Sequence, residues 1–458
     1  MYGGHKTTVN ALGSYSDSSP DLFDDPKFET IAEIFFRVHG GHLGLVSTAF
    51  IADATPAAMT AHTRLRYEYA YIIDSMLNGF NNFTWTDFPG ADAILGAGAE
   101  QFCPQLGETP DGLDYYNVFA DAGYQVVQSN TDLANIDPDE RLLGIFSTGN
   151  LPVWLDRNIY TDNLLELENA PDCNGGDTTD LPGLKEMTLA AIDTLNARSS
   201  DDGWLIMSEA ASVDKQMHAM DYERALGDLL ELDDTIRASI ERLKELDVQK
   251  ETLVLVTADH GHGFDVWGSA DTQFLQAQDG DREKREAIGT YARSGESQYV
   301  GSGTGLQMGD MSPGFPSNWD PRYTLAQGVG AHPDFRENFR VRKEGPRTPA
   351  IFTEEFGYIA NPEDSPDGFV VNGTIAPDGS TGVHSLTDVP VYAYGPCQEV
   401  FSGTYNSIDI FFGMAECLGL SRQNVDGSQR EGEGHGYGKG RRGGHGGKAK
   451  KHSKKPGN

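Results

Sequence analysis

A chain of 458 residues that is 38% hydrophobic and 10% aromatic can bury a large core, which excludes a globally disordered protein. It has no uninterrupted apolar run long enough to span a bilayer, and its opening stretch, MYGGHKTTVNALGSYSDSS, lacks the apolar core of a signal peptide. The net charge is −34; the last twenty residues hold eight Lys or Arg and no Asp or Glu, so everything before them carries −42. Such a surface repels nucleic acid and anionic membranes, and a phosphate site on it needs locally concentrated cations.

Along the chain, apolar groups at Ile31, Ile34, Phe35 and Val38 have helical spacing, and a Gly break then leads into a buried strand at 43–48. ADATPAAMTAHTRLR follows as a loop entering a helix with Pro56 in its first turn, and a short strand is predicted near 91–96. Residues 183–197 predict an amphipathic helix, 204–207 a short strand, 225–246 a long helix and 252–257 a strand. The last strand falls at 389–395 and the last helix in SIDIFFGMAECLGL. Strands alternating with helices predict a doubly wound α/β fold with a largely parallel central sheet flanked by helices, whose ligands bind beyond the carboxyl ends of the strands. Between about 266 and 380 the alternation fades into a Gly-, Ser-, Pro- and charge-rich stretch, read as a large insertion within a catalytic domain spanning 1–425. Residues 426–458 read as a basic Gly/Lys/His-rich disordered tail.

The four cysteines, Cys103, Cys173, Cys397 and Cys417, form no CxxC, so a zinc knuckle is unsupported; two disulfides are allowed in any of three pairings. Together with sequons at Asn82 and Asn372, they point to a secreted or periplasmic glycoprotein whose export signal is not in this chain.

Three segments carry the chemistry. In WLIMSEAASVDKQMH a strand ends, Glu209 stands just past it, and Asp214 and His218 share one face if 214–218 is helical. Carboxylate with imidazole suits Zn²⁺, and Glu209 suits a harder ion such as Mg²⁺. In LVLVTADHGH an apolar strand runs into Asp259 and His260, a pair that is costly to bury without a metal or other partner; His262 reads as a supporting residue. In TGVHSLTDVPVYAYGP, His384 precedes a strand. Taken alone it reads as structural; beside the other two segments it reads as a ligand.

These three segments, with STAFIADATPAAMTAHTRLR, resemble in sequence and order the signatures of the alkaline phosphatase family, over roughly residues 5–420. The resemblance implies that Asp214, His218 and His384 hold one zinc and that Asp259 and His260 hold a second. It implies that Thr55 and Glu209, with Asp53 beside them, hold a Mg²⁺, and that Arg66 binds phosphate, with Arg64 as the fallback. Asp53 and Lys215 match the bacterial form of the site. The implied protein hydrolyses phosphate monoesters through a phosphoserine intermediate, uses two zinc ions and one magnesium, and is commonly a homodimer.

The match breaks at the nucleophile. The family's Asp-Ser-Ala motif and its metal-bridging aspartate do not occur, and GHKTTVNALG resembles the stretch just after the nucleophile helix. The expectation is an amino-terminally truncated chain that also lacks the first strand of the sheet. Asp17-Ser18 repeats the dipeptide but sits in a Ser/Asp/Pro loop with no helix of small residues after it. The alternatives are an inactive metal-binding fragment or pseudophosphatase, and a related phosphodiesterase or sulfatase; the string from Asp53 to Arg66 together with Lys215 argues against the latter.

Overall fold

A computed structural model describes residues 1–79, 87–106, 112–200, 202–219, 221–267 and 384–420, with isolated positions and short strands elsewhere. Both sequons, most of the 266–380 stretch and the basic tail lie outside the described residues.

Helix α1 (Ile31–His39) shows how local sequence sets an element. Thr30 caps it, Glu33 closes a capping box, and Gly40 ends it at φ 75°. Strand β1 (His42–Phe50) follows and is buried along nearly its whole length. Next come the short α2 (Ala54–Ala57), α3 (Tyr69–Asn78), β2 (Ala93–Ala97), α4 (Tyr115–Asp121), β3 (Tyr124–Val127), α5 (Asn130–Leu133) and β4 (Arg141–Ile145). The second half holds α6 (Trp154–Asn158), α7 (Leu184–Arg198), β5 (Trp204–Glu209), α8 (Ala211–His218), α9 (Tyr222–Glu245) and β6 (Val254–Thr257).

Five of these strands form one parallel sheet in the order β3-β4-β2-β1-β5. Its doubly wound character is visible in the alternation of side chains. Leu43 and Leu45 of β1, Ile94 of β2, and Leu143 and Ile145 of β4 join one apolar cluster with residues of α1, α3 and α4. Val46, Ala93, Leu95 and Leu142, the alternate positions, join a second cluster with Leu184, Met187 and Ala191 of α7. One sheet thus separates two cores.

The last expected strand departs from the parallel pattern. β6 pairs antiparallel with β9 (Val391–Tyr394), and these two form a two-stranded unit of their own among the described residues. Between them, β7 (Gly261–His262) pairs antiparallel with β8 (His384–Ser385). The closing helix α10 is Asp409–Cys417. Two disulfides settle the pairing left open by the sequence: Cys103–Cys173 and Cys397–Cys417. No helix among the described residues is long and apolar enough to cross a membrane.

The second layer contains a buried acid with a measurable consequence. Asp228 on α9 is 2% exposed; its Oδ2 accepts from the Trp154 amide at 3.2 Å, and its Oδ1 has no hydrogen-bond partner. Burial, followed by the charge of Glu231, pushes its pKa from 3.8 to about 8. Between those two values the folded state holds a proton that the unfolded state has lost, so this group's contribution is complete below about pH 4 and is lost as pH rises through about 8. Asp228→Asn removes the slope. Relative to the wild type, the variant is expected to gain on the order of 4 kcal/mol between pH 5 and pH 9, read as a widening difference in Tm. A constant difference across that range contradicts the assignment.

Candidate metal centre

The carboxyl ends of β1 and β5 lie side by side, with Ser47 opposite Glu209. Glu209 is the last residue of β5 rather than one past it. Its Oε2 accepts from the Ser47 hydroxyl at 2.7 Å, and the Thr55 hydroxyl bonds to the same carboxylate. Burial raises its pKa to about 7 despite both hydroxyls, with Asp53 and Asp259 adding to the rise. A carboxyl pressed this far towards neutrality, with a second carboxylate near, is a place where a cation is favoured. Sequence reading missed Ser47; its signal was a polar residue inside an otherwise apolar strand.

Just beyond β1, Asp53 caps α2 through a 2.8 Å bond from the Ala54 amide. Its Oδ1 accepts from Arg66 at 2.5 Å and its Oδ2 from Lys215 at 2.6 Å. Burial alone would raise Asp53; the Lys215 and Arg66 cations hold it below the usual carboxylate range. Both oxygens are thus occupied, and two cations stand side by side. The sequence placed Arg66 on a helix entered at Pro56, but α2 ends at Ala57 and Arg66 lies on an irregular segment whose amide donates to Asn10. The guanidinium of Arg64, the fallback, is tied to Asp25, to the Ser19 carbonyl and to Asp17. That tie also places Asp17-Ser18 in a separate, salt-bridged loop.

Helix α8 brings Asp214 and His218 onto one face as their four-residue spacing requires. The β7–β8 pairing sets His384 directly across from His262. Gly382 is required here, because a Cβ would sit 2.2 Å from the Met217 carbonyl. Asp214 Oδ1 lies 3.4 Å from His218 Nε2 and 3.4 Å from His384 Nε2, and those two nitrogens are 3.0 Å apart. Ligand atoms on a tetrahedral zinc with bonds of about 2.0–2.1 Å are about 3.3 Å apart, so the triangle fits the ion. The His218 Nδ1 faces the Gly382 carbonyl at 2.8 Å and so carries the hydrogen, which leaves the Nε2 lone pair directed at the triangle.

His260 Nε2 stands 3.4 Å from Asp259 Oδ2 and 3.8 Å from Asp214 Oδ1, and its ring stacks on His384 at 3.5 Å. The Asp259–His260 spacing again suits one ion. Ligand atoms of Asp214, His260, His262 and His384 all fall within 4.8 Å of one another, a grouping that includes His262 and omits His218. The hydrogen bonding favours the other division: His262 Nε2 makes a 2.7 Å bond to Asp214 Oδ1, which orients that carboxylate. Against burial, which alone would raise it, the His262 hydrogen bond and then the neighbouring imidazoles hold Asp214 at about 2. Burial and then His260 keep His384 below its ordinary pKa, which favours the neutral form that ligates.

The family model for alkaline phosphatase matches residues 1–308. The chain belongs to the alkaline phosphatase family. Within it, alkaline phosphatase H of Pseudomonas aeruginosa (strain UCBPP-PA14) is 30% identical over 298 residues, 60% of this chain and 60% of that protein. Alkaline phosphatase 3 of Bacillus subtilis (strain 168) is 25% identical over 422 residues, 90% of this chain and 73% of that one. The match to the Pseudomonas protein therefore spans less than two thirds of that relative's length. The crystal structure of Thermus thermophilus alkaline phosphatase aligns over 92% of this chain and 79% of its own at a TM-score of 0.56 and 20% identity, a likeness of fold.

Proposed function

We propose that this chain carries the metal-binding and phosphate-binding body of a secreted phosphate monoester hydrolase. The observation that carries the reading is the Asp214–His218–His384 triangle, with edges of 3.4, 3.4 and 3.0 Å, linked through Lys215 of α8 to the Arg66–Asp53–Lys215 cluster. In this reading Asp214, His218 and His384 hold one zinc, Asp259 and His260 hold a second, and Thr55 and Glu209 hold a magnesium with Asp53 at its edge. When bound, these ions supply Lewis acidity and positive charge to the oxygens of a phosphate ester.

The chain's own residues do the rest. Arg66 presents a planar fork that holds two phosphate oxygens, an arrangement Lys215 cannot copy. Asp53 keeps both cations in place, so their charge is set before substrate arrives. His262 fixes Asp214, and the Gly382 carbonyl fixes the tautomer of His218. The family's Asp-Ser-Ala nucleophile motif does not occur in these 458 residues, so the reading assigns this chain the metal and phosphate seats and not the attacking serine. Recognition centres on phosphate, which supports broad tolerance of the ester's organic part. The two disulfides support export to an oxidising compartment.

The test is hydrolysis of p-nitrophenyl phosphate by the 458-residue chain and by the same chain with a segment bearing the family's Asp-Ser-Ala motif fused to its amino terminus. The longer form is expected to be active, to lose activity on chelation and to regain it with zinc and magnesium. Full activity in the shorter form contradicts the need for that motif. Absence of metal-dependent hydrolysis in both contradicts the function.

A further inference from the structure

Outside the metal centre, the core holds a fully buried histidine–carboxyl pair that the proposed chemistry does not use. His62 and Glu33 are both fully buried, with His62 Nε2 2.8 Å from Glu33 Oε1. His62 Nδ1 lies 2.8 Å from the Gly13 carbonyl, and Glu33 Oε2 accepts from the Thr30 amide at 2.7 Å. A carbonyl only accepts, so Nδ1 carries a hydrogen. One proton then lies between Nε2 and the carboxyl, and the pair is neutral overall whichever atom holds it. Removing either member leaves the other buried without its partner.

The pair ties three pieces of chain together: the start of α1, the segment at Gly13, and the stretch leading to Arg66. Beyond His62, the Leu12 and Thr63 backbones exchange hydrogen bonds at 2.8 and 2.9 Å, and the Arg66 amide donates to the Asn10 carbonyl at 2.7 Å. Arg66 lies outside any helix, so segment 10–13 is what its backbone hangs on. Gly13 is at φ +56°, and a Cβ there would lie 2.5 Å from His62 Nδ1, so the ring and the segment are fitted to each other.

We propose that the Glu33–His62 pair is a positioning device for Arg66: it locks segment 10–13 against 62–66 and thereby sets the guanidinium at Asp53 for phosphate. The proposal rests on the reading of Arg66 as the phosphate-binding arginine.

The experiment is a double-mutant cycle on the zinc-loaded full chain, reading the dissociation constant of inorganic phosphate by calorimetry, with zinc content as a control. Arg66→Ala is expected to weaken phosphate binding by about tenfold or more, as loss of charge-assisted hydrogen bonds does. His62→Gln is expected to weaken it by roughly fivefold alone and to add nothing on top of Arg66→Ala, because it acts through that residue. Zinc content stays unchanged in all three. Glu33→Gln, whose amide can donate to a neutral His62 while its oxygen accepts from Thr30, is expected to keep affinity within about twofold.

A His62→Gln loss that adds in full to that of Arg66→Ala, or no loss at all, overturns the positioning role while leaving the phosphate reading intact. No effect of Arg66→Ala itself overturns the phosphate reading. If His62→Gln does not fold, Glu33→Asp, which draws the carboxylate back from the ring, carries the same cycle with the same two outcomes.

Discussion

Asp214→Ala is expected to lower the zinc affinity of the chain by roughly 10²–10³-fold, the share of one ligand in a site whose total is about 10–16 kcal/mol. The basis is convergence: the Oδ1 of this one residue is within 3.4 Å of His218 and His384 and within 2.7 Å of His262. His262→Ala provides the contrast. If His262 orients Asp214 rather than binding the ion, its loss should weaken zinc by only about 10–100-fold, the range for groups that hold a ligand in place. Competition against a chromophoric chelator reads both values on one scale. Equal losses from the two substitutions would place His262 in the ligand set.

The second large effect concerns stability rather than metal. Arg157 and Glu231 form a 2.5 Å ion pair whose side chains are 6% and 7% exposed. Arg157 also donates to the Pro152 carbonyl at 2.7 Å and to the Pro182 carbonyl at 3.4 Å, so it clamps α6, α9 and the approach to α7. Arg157→Met leaves the Glu231 charge buried and uncompensated and is expected to cost about 3–5 kcal/mol. Removing both charges, as Arg157→Met with Glu231→Leu, should recover most of that loss, because two apolar side chains can replace a buried pair. Urea midpoints of the wild type, single and double variants measure it. A double variant no better than the single one contradicts a charge-based account and leaves packing as the cause.

Much of this architecture is legible in the amino-acid order because the relevant patterns are long or paired. FETIAEIFFRVH announces α1 by its apolar spacing, and Thr30 with Glu33 spells out its capping box. The alternation of strands and helices gives the parallel sheet. The edge of that sheet is harder to read: Tyr124–Val127 is only four residues long, and its strand state comes from pairing with β4 and from the Tyr124–Phe119 contact. The antiparallel β6–β9 pair was also hidden, since an apolar run reveals burial and not strand direction.

The same distinction holds at the site. Asp214 and His218 are four apart, so a helix brings them together, and spacing alone suffices. His384 and His262 meet only because β7 and β8 pair across an intervening stretch of more than a hundred residues. The choice between Arg64 and Arg66 turns on Asp25 and Asp53, long-range partners that no local pattern discloses. The Glu33–His62 pairing was hidden for the same reason: Glu33 reads only as a helix-capping residue and His62 as an ordinary polar one until the fold places them 2.8 Å apart.

The central claim is that three residues from α8 and β8 form a zinc seat. Anomalous scattering at the zinc edge, from crystals of the full chain grown with zinc, tests it most directly. The expected result is a peak bonded to Asp214, His218 and His384 through one oxygen and two Nε2 nitrogens. A peak that excludes His218 in favour of His262, or the absence of zinc from all three residues, would contradict it.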